Sequence, residues 1–236
     1  MDELCTYLEQ WNIRLTKDQI SQFDSYYELL IEWNSFMNLT AITERDEVIT
    51  KHFTDSLALG HFFSLREQSV LDLGTGAGFP GIPLKIAFPS LNIVLADSQQ
   101  KRLRFLDTLI QKLQLKDIRT VHGRAEDLAH RFEFREQFDL CTSRAVANLT
   151  TLSEYCIPFV KKNGFFVSYK SDKIDTELND AAYAIKVLGG AVDHVENFVI
   201  PHTDLNRSLI FIKKNQTTPA KYPRKAGTPS KDLLIG

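Results

Sequence analysis

The chain has few cysteines and no cysteine pattern. Cys5, Cys141 and Cys156 form no CxxC pair and no zinc spacing, which argues against a disulfide or metal scaffold and predicts no metal site. No apolar run approaches the length of a membrane span. The opening Met1-Asp2-Glu3 is acidic where a secretory signal carries positive charge, so a reduced, cytoplasmic protein is expected. Neither sign of charge dominates, and the net charge is −2. That small value conceals an asymmetry. Met1 to Glu47 holds ten carboxylates against three basic residues, while Lys213 to Lys231 holds six Lys/Arg and no acid. Overall charge is therefore silent about nucleic acid, whereas the C-terminal basic run suits phosphates.

What is present centres on Val70-Leu71-Asp72-Leu73-Gly74-Thr75-Gly76-Ala77-Gly78-Phe79-Pro80-Gly81. An apolar run meets an acid and breaks into a glycine turn, and helical apolar spacing then resumes at Ile82, Leu84 and Ile86. Such a corner binds a nucleotide-like ligand in a doubly wound sheet. Glycine suits it because it accepts positive φ and lets a ligand lie on the backbone. Two ligands remain open at this point. Gly76-x-Gly78-x-x-Gly81, with Asp97 about twenty residues on, matches the dinucleotide fingerprint. Asp72 ahead of Gly74-x-Gly76-x-Gly78 instead sets a carboxylate before a cationic or amino-bearing nucleoside, an order that resembles the S-adenosylmethionine loop of Rossmann-like methyltransferases.

Residues 1–64 read as a helical cap rather than an independent domain, with the apolar face Ile20, Phe23, Tyr27, Leu30, Ile31 and Trp33. Asn34 to Asn38 is expected to loosen that helix. A second helix is expected from Arg45 to about Phe63, with Thr43 as N-cap. On it His52, Asp55 and Ser56 share one turn, either as a solvated polar face or as a lip over the glycine loop. From 65 to 214, strands and helices alternate, which implies a mostly parallel sheet with helices on both faces. Strands are expected at Val70 to Leu73, Asn92 to Ala96, Ile118 to Val121, Phe138 to Thr142 and Gly164 to Tyr169. A helix is expected from Lys173 to Leu188, then an antiparallel hairpin, Val192 to Ile200 and Ser208 to Ile212, at the sheet edge. Residues 215–236, with Pro219, Pro223 and Pro229 among basic residues, read as an extended tail.

In an open α/β sheet the ligand lies outside the carboxyl ends of the strands. That rule selects Asp72 and Gly74, then Asp97, then Ala125-Glu126, then Ser143-Arg144, then Lys170. Asp97 is suited to accept from both ribose hydroxyls, and Ala125-Glu126 to reach an adenine edge. The Arg144 guanidinium can clamp a phosphate or a carboxylate, or read guanine in a bidentate way. No Asn-Pro-Pro-aromatic run follows the fourth strand, which disfavours methylation of an exocyclic amine. Cys141 lies within that strand and reads as a buried, inert thiol. A methyl acceptor that needs no deprotonation, such as N7 of guanine, fits these absences. Catalysis would then rest on positioning and electrostatics.

Several segments together resemble a known family. They are Asn38-Leu39-Thr40-Ala41-Ile42, Lys51-His52-x-x-Asp55-Ser56-Leu57, the glycine segment through Pro83, Asp97-Ser98-x-x-Lys101-Arg102, Ser143-Arg144-Ala145, and the closing Tyr222-Pro223-Arg224-Lys225-Ala226-Gly227-Thr228-Pro229. The chain resembles the RsmG family (glucose-inhibited division protein B) from about Asn38 to its C-terminus. The resemblance implies a Rossmann-like class I fold and S-adenosyl-L-methionine as cofactor. It also implies methylation of N7 of one guanine in 16S ribosomal RNA, in the cytoplasm of a bacterium, with the RNA or the small subunit as partner. Cofactor contacts are expected at Asp72, Gly74, Gly76, Gly78, Phe79, Asp97, Ala125, Glu126 and Arg144, the last also positioning the reaction. Phe79 stands where many members carry leucine. RNA contacts are expected at His52, Lys170, Tyr222, Arg224 and Lys225, with Tyr222 available for stacking, and a monomer is expected. The rival readings are an NAD-dependent oxidoreductase and a non-catalytic RNA-binding or ribosome-assembly factor.

Overall fold

The protein is described here by a computed structural model covering residues 1–144, 146–171 and 174–236. Ala145 of the Ser143-Arg144-Ala145 segment, and Lys173 where a helix start was expected, lie outside the described residues.

The chain opens with α1 (Asp2–Glu9) and α2 (Lys17–Met37). Thr16 starts α2 through a reciprocal cap: its hydroxyl accepts from Gln19 N–H at 3.2 Å and its own N–H donates to the Gln19 side chain at 2.8 Å. The helix continues through Asn34, contrary to expectation. The Asn34 side chain accepts from the N–H groups of Leu39 and Thr40, at 2.7 and 2.9 Å, and Asn38 adopts φ 52° as the C-cap. These asparagines end the helix rather than weaken it. The second helix spans the expected stretch in three parts: α3 (Arg45–Val48), a wide π-helical turn (Ile49–Thr54) and α4 (Asp55–Phe62). Glu44, not Thr43, occupies its N-cap position, without a side-chain cap.

Alternation follows: β1 (Ser69–Leu73), α5 (Gly81–Ala87), β2 (Asn92–Asp97), α6 (Gln100–Lys112), β3 (Ile118–His122), α7 (Ala125–Leu128), β4 (Phe138–Arg144), α8 (Leu149–Cys156), a 3₁₀ turn (Ile157–Phe159), β5 (Val160–Lys170), α9 (Asp175–Val187), β6 (Gly190–Val199), β7 (Asn206–Lys214) and α10 (Thr228–Lys231). The sheet order is β3-β2-β1-β4-β5-β7-β6, with β1 to β5 parallel and β7 antiparallel to both neighbours. The closing hairpin thus reaches the edge through its first strand, and its second inserts against β5. The order follows from burial: β7 runs Leu209-Ile210-Phe211-Ile212 with every residue buried, whereas β6 exposes Ala191, Val192 and Asp193.

Two apolar layers sandwich the sheet. On one face Leu4, Leu8, Phe23, Tyr26, Leu30 and Phe53 of the N-terminal helices pack with Ile82 and Leu106, so these helices share the core of the sheet. On the other, Leu149, Leu152, Ala181 and Ile185 of α8 and α9 pack with Tyr222 from the tail. The tail is therefore docked and not extended. Arg135 holds it by donating to the carbonyls of Thr218, Pro219 and Tyr222, at 2.8, 3.2 and 2.9 Å. The buried Lys214 ammonium adds bonds to Thr218 Oγ1 at 2.7 Å and to Glu136 at 3.0 Å. Composition alone misleads here because Tyr222, Pro223 and Pro229 supply buried apolar surface without forming a run.

Candidate active site

A cleft of about 530 Å³ opens at the carboxyl ends of β1 to β4, within the range of sites for small ligands. Its floor is the loop after β1. Gly74 and Gly76 adopt φ of +70° and +60°, a region that costs side-chain-bearing residues energy. A Cβ placed on Gly76 would meet nothing nearer than Gly74 O at 3.9 Å, so this face of the backbone is open to the cleft it lines. A Cβ on Gly78 would lie 2.7 Å from Ile82 and 2.9 Å from Leu106 and the Tyr26 hydroxyl, and one on Gly81 would lie 2.3 Å from Leu95. Gly78 and Gly81 are packing glycines. The expected cofactor contact at Gly78 is corrected accordingly. The oxidoreductase reading loses its geometric basis too, because the middle glycine of that fingerprint must admit a pyrophosphate.

Asp72, one residue before the end of β1, and Asp97, the last residue of β2, behave differently. β1 pairs Leu73 with Ala96, so Asp97 lies one residue beyond the end of β1. Asp72 is fully buried and does not line the cleft. Its Oδ2 accepts from Thr75 Oγ1 at 2.6 Å and from Gly81 N–H at 2.9 Å, while Oδ1 has no partner among the described residues. Burial pushes this carboxyl up to about 6, against the two hydrogen bonds that lower it. The expected facing of Asp72 toward a cationic ligand is thus overturned: it closes the glycine turn onto the start of α5. Asp97 does line the cleft, but it accepts from Gly76 N–H at 3.0 Å, Gln99 N–H at 2.8 Å and Arg102 at 3.3 Å. A carboxylate offers about four lone-pair sites, so it retains acceptor capacity while fixing Gly76. Arg102, named in the sequence only as part of the Asp97-Ser98-x-x-Lys101-Arg102 segment, also lines the cleft.

One side wall is built from the π-helical turn and β4. The Phe79 ring is nearly enclosed: His52 stacks on it at 4.4 Å, Tyr26 lies at 5.4 Å and the Arg144 guanidinium at 5.0 Å. Arg144 Nη1 donates to Lys51 O at 3.0 Å and to Asp55 Oδ2 at 2.8 Å, and Nη2 reaches His52 Nδ1 at 3.1 Å. Guanidinium nitrogens only donate, so Nδ1 must accept and the imidazole proton sits on Nε2, directed to Thr40 Oγ1 at 2.9 Å. The Lys51 carbonyl, 3.2 Å from Nδ1, is then no partner of that nitrogen. Burial, followed by the Arg144 charge, pushes the imidazole down to about 3. His52 is therefore a neutral structural acceptor in the cleft wall; both ring nitrogens are engaged within the protein, so the expected RNA contact there has only the ring surface to offer. A π turn is rare and widens one turn of helix; here it lets His52 and Asp55 meet the same guanidinium.

The opposite wall comes from α7, α8 and the tail. Glu126 lines the cleft and accepts Gly227 N–H at 2.9 Å, and Ala125, Tyr155, Gly227 and Ser230 line it beside Glu126. Sequence reading missed the last three; only the Arg-Lys-Ala-Gly-Thr-Pro tail segment hinted at Gly227. The expected RNA contacts fare unevenly. Tyr222 is buried and cannot stack on a base. Arg224 chelates Glu154 at 2.8 and 3.0 Å and meets Asp232 at 3.0 Å. Lys170 pairs with Glu177 at 2.6 Å and donates to Ala147 O at 3.0 Å. Lys225 alone of these is exposed, beside Lys221 and His130 in a hollow that adjoins the cleft at Glu126. Cys141 is fully buried, and burial pushes its thiol up. Among the described residues no group of His, Cys, Asp and Glu could hold a metal, and no helix is long and apolar enough to cross a membrane.

Comparison with known proteins bears on this cleft. The family model for GidB, rRNA small subunit methyltransferase G, matches residues 19–209. The chain is 53% identical over 229 residues to the ribosomal RNA small subunit methyltransferase G of Lachnoclostridium phytofermentans, covering 97% of this chain and 95% of that one. Its identity to the protein of the same name from Staphylococcus aureus (strain Newman) is 48% over 233 residues, 98% of this chain and 97% of the other. Among solved structures, M. jannaschii TYW2 in complex with AdoMet superposes with a TM-score of 0.57 at 14% identity, over 74% of this chain and 79% of that one. That likeness concerns the fold, which is Rossmann-like class I methyltransferase.

Proposed function

Since the chain belongs to the rRNA small subunit methyltransferase G family, we propose that it transfers a methyl group from S-adenosylmethionine to N7 of a guanine in 16S ribosomal RNA. The observation that carries this reading is the cleft at the strand ends, floored by the open face of Gly76. Its residues fit a nucleoside. The left-handed turn offers bare backbone at Gly76, Asp97 keeps acceptor capacity for a hydroxyl, and Ala125 and Glu126 offer a mixed apolar and polar edge. Arg144 supplies a cation for an anionic oxygen.

When bound, the cofactor supplies an electrophilic methyl group on a sulfonium. The chain's own work is positioning. Asp97 fixes Gly76 through its N–H, and Asp72 ties the turn to α5, so the floor is formed before any ligand arrives. Guanine N7 carries a free lone pair, so no residue need remove a proton. The locked His52, with both ring nitrogens occupied, is consistent with that. We place the reaction in the cytoplasm, on the RNA or on a small ribosomal particle.

The test is methyl transfer by purified protein to 16S RNA, small subunits and assembly intermediates from cells lacking it, with 7-methylguanine mapped along the RNA. One new 7-methylguanine is expected. Tight cofactor binding without transfer to any of the three would favour the non-catalytic assembly factor.

A further inference from the structure

Asp55 is 5% exposed, yet it faces two arginines from distant strands. Its Oδ2 accepts from Arg144 of β4 at 2.8 Å, and its Oδ1 lies 3.3 Å from Nε of Arg207, near the start of β7. Arg144 has five N–H donors. Three are engaged, by Lys51 O, Asp55 and His52. The Nε–H and one Nη2–H have no partner among the described residues. Nε is also absent from the buried unpartnered atoms of the described residues, Asp72 Oδ1 and Ser168 Oγ, so it is not sealed from solvent. Arg144 lines the cleft, which makes the cleft the place where these two donors can meet a ligand.

We propose that Asp55 is a positioning residue: together with neutral His52 and the Lys51 carbonyl, it fixes the Arg144 guanidinium so that its two remaining N–H groups are presented to an anionic oxygen of a bound ligand. The argument is one of redundancy. Packing against Phe79 could hold an arginine side chain in place, but rotation about its last bonds would still be free. Three hydrogen bonds to three separate groups remove that freedom before a ligand binds. Arg207 matters in the same way. It gives Asp55 a second cation at 3.3 Å, which fixes the orientation of the carboxylate in a buried site. The anionic oxygen has two possible sources, the carboxylate of the cofactor or a phosphate of the RNA, and the inference rests on the methyltransferase reading only for those names.

The experiment is a double-mutant cycle on the full-length protein with Asp55→Ala, Arg144→Ala and the double variant. Cofactor affinity is read by calorimetry, 16S RNA affinity by filter binding, and kcat and KM by methyl transfer. Asp55→Ala is expected to weaken one of the two affinities by about tenfold to a hundredfold, the scale of a lost charge-assisted hydrogen bond. In the Arg144→Ala background it should cost less than about twofold more, the limit of ordinary additivity. A loss in cofactor affinity assigns the oxygen to the carboxylate, and a loss in RNA affinity alone assigns it to a phosphate. Equal losses in both backgrounds, or none in either, would overturn the role. Asp55→Asn, which keeps the shape and one acceptor oxygen, gives the same cycle if the alanine variant melts too low, and its loss should be smaller. A wild-type protein that transfers no methyl group defeats the enzymatic reading, while the binding cycles still decide Asp55.

Discussion

Arg144 and Arg224 flank the cleft from opposite sides, and each pairs with a buried carboxylate at 2.8 Å. The pairs have the same chemistry and different consequences. Four of the five N–H groups of Arg224 are occupied by Glu154 and Asp232, and the 1%-exposed Glu154 side chain meets no other cation among the described ion pairs. Arg224 pins the tail. Arg144 keeps two donors for the cleft, and its partner Asp55 has Arg207 in reserve. A guanidinium–carboxylate pair is thus a pin or a presenting device according to whether donors are left over and whether the acid has a second partner.

The sharpest break of this contrast is thermal. Arg224→Ala leaves Glu154 buried without its cation and should cost about 3–5 kcal/mol of stability. Arg144→Ala leaves Asp55 with Arg207 and should cost about 1–2 kcal/mol while losing most methyl transfer. Equal falls in Tm would erase the distinction.

The floor between the two sides gives the next largest effect. Gly76→Val should abolish cofactor binding, at least about a hundredfold or roughly 2.7 kcal/mol, while the fold survives a strain of about 1–3 kcal/mol. Gly78→Val should instead destabilise the protein by forcing a side chain into Ile82 and Leu106. Calorimetry with retained affinity in Gly76→Val would reassign the loop.

The Arg144 side also buries two groups whose titrations oppose each other. The folded-state carboxyl of Asp72 is raised from 3.8 to about 6, so its contribution is fully present below pH 3.8 and is lost as pH rises to about 6. The imidazole of His52 is lowered from 6.5 to about 3, so its contribution is present above pH 6.5 and is lost as pH falls toward 3. Between pH 4 and 6 the two slopes have opposite sign and offset each other. His52→Gln should unmask the first, making stability fall with rising pH relative to wild type by up to about 1.4 kcal/mol per pH unit, and Asp72→Asn should unmask the second, with the reverse sign. Denaturant melts across that window that run parallel for all three proteins would refute both assignments.

The smallest effect lies on the Arg224 side. Lys225, exposed beside the hollow at Glu126, is expected to contact phosphate, so Lys225→Ala should reduce the salt-dependence slope of RNA binding by about one with cofactor affinity unchanged. An unchanged slope would remove it from the RNA surface.

Much of the site was legible before the fold, and the omissions have physical causes. The strand-end rule found Gly74, Asp97, Ala125, Glu126 and Arg144, and the glycine pattern found Gly76; all of these line the cleft, whereas Asp72, Ser143 and Lys170, which the rule also selected, do not. It could not tell Asp72 from Asp97, because their difference is one of register: Asp72 is level with Leu95, so Asp97 stands two residues further out along β2. The basic tail suggested Tyr222 and Arg224 as RNA contacts because a basic, proline-containing segment looks solvated until Glu154 and the α8–α9 surface are seen beneath it. Arg207 carries no local signal at all.

By itself the sequence determined the alternation of strands and helices, the bend after β1 and that this bend suits a nucleotide-like ligand. These depend on short-range constraints: where apolar residues recur, and where the backbone must turn left-handed. Only the tertiary structure decided which glycines face solvent and which the core, that β7 slips inside β6, and that the π-helical turn meets β4 while residue 227 meets residue 126. Those outcomes depend on side chains some ninety to a hundred positions apart competing for the same buried space, and no local pattern records who wins.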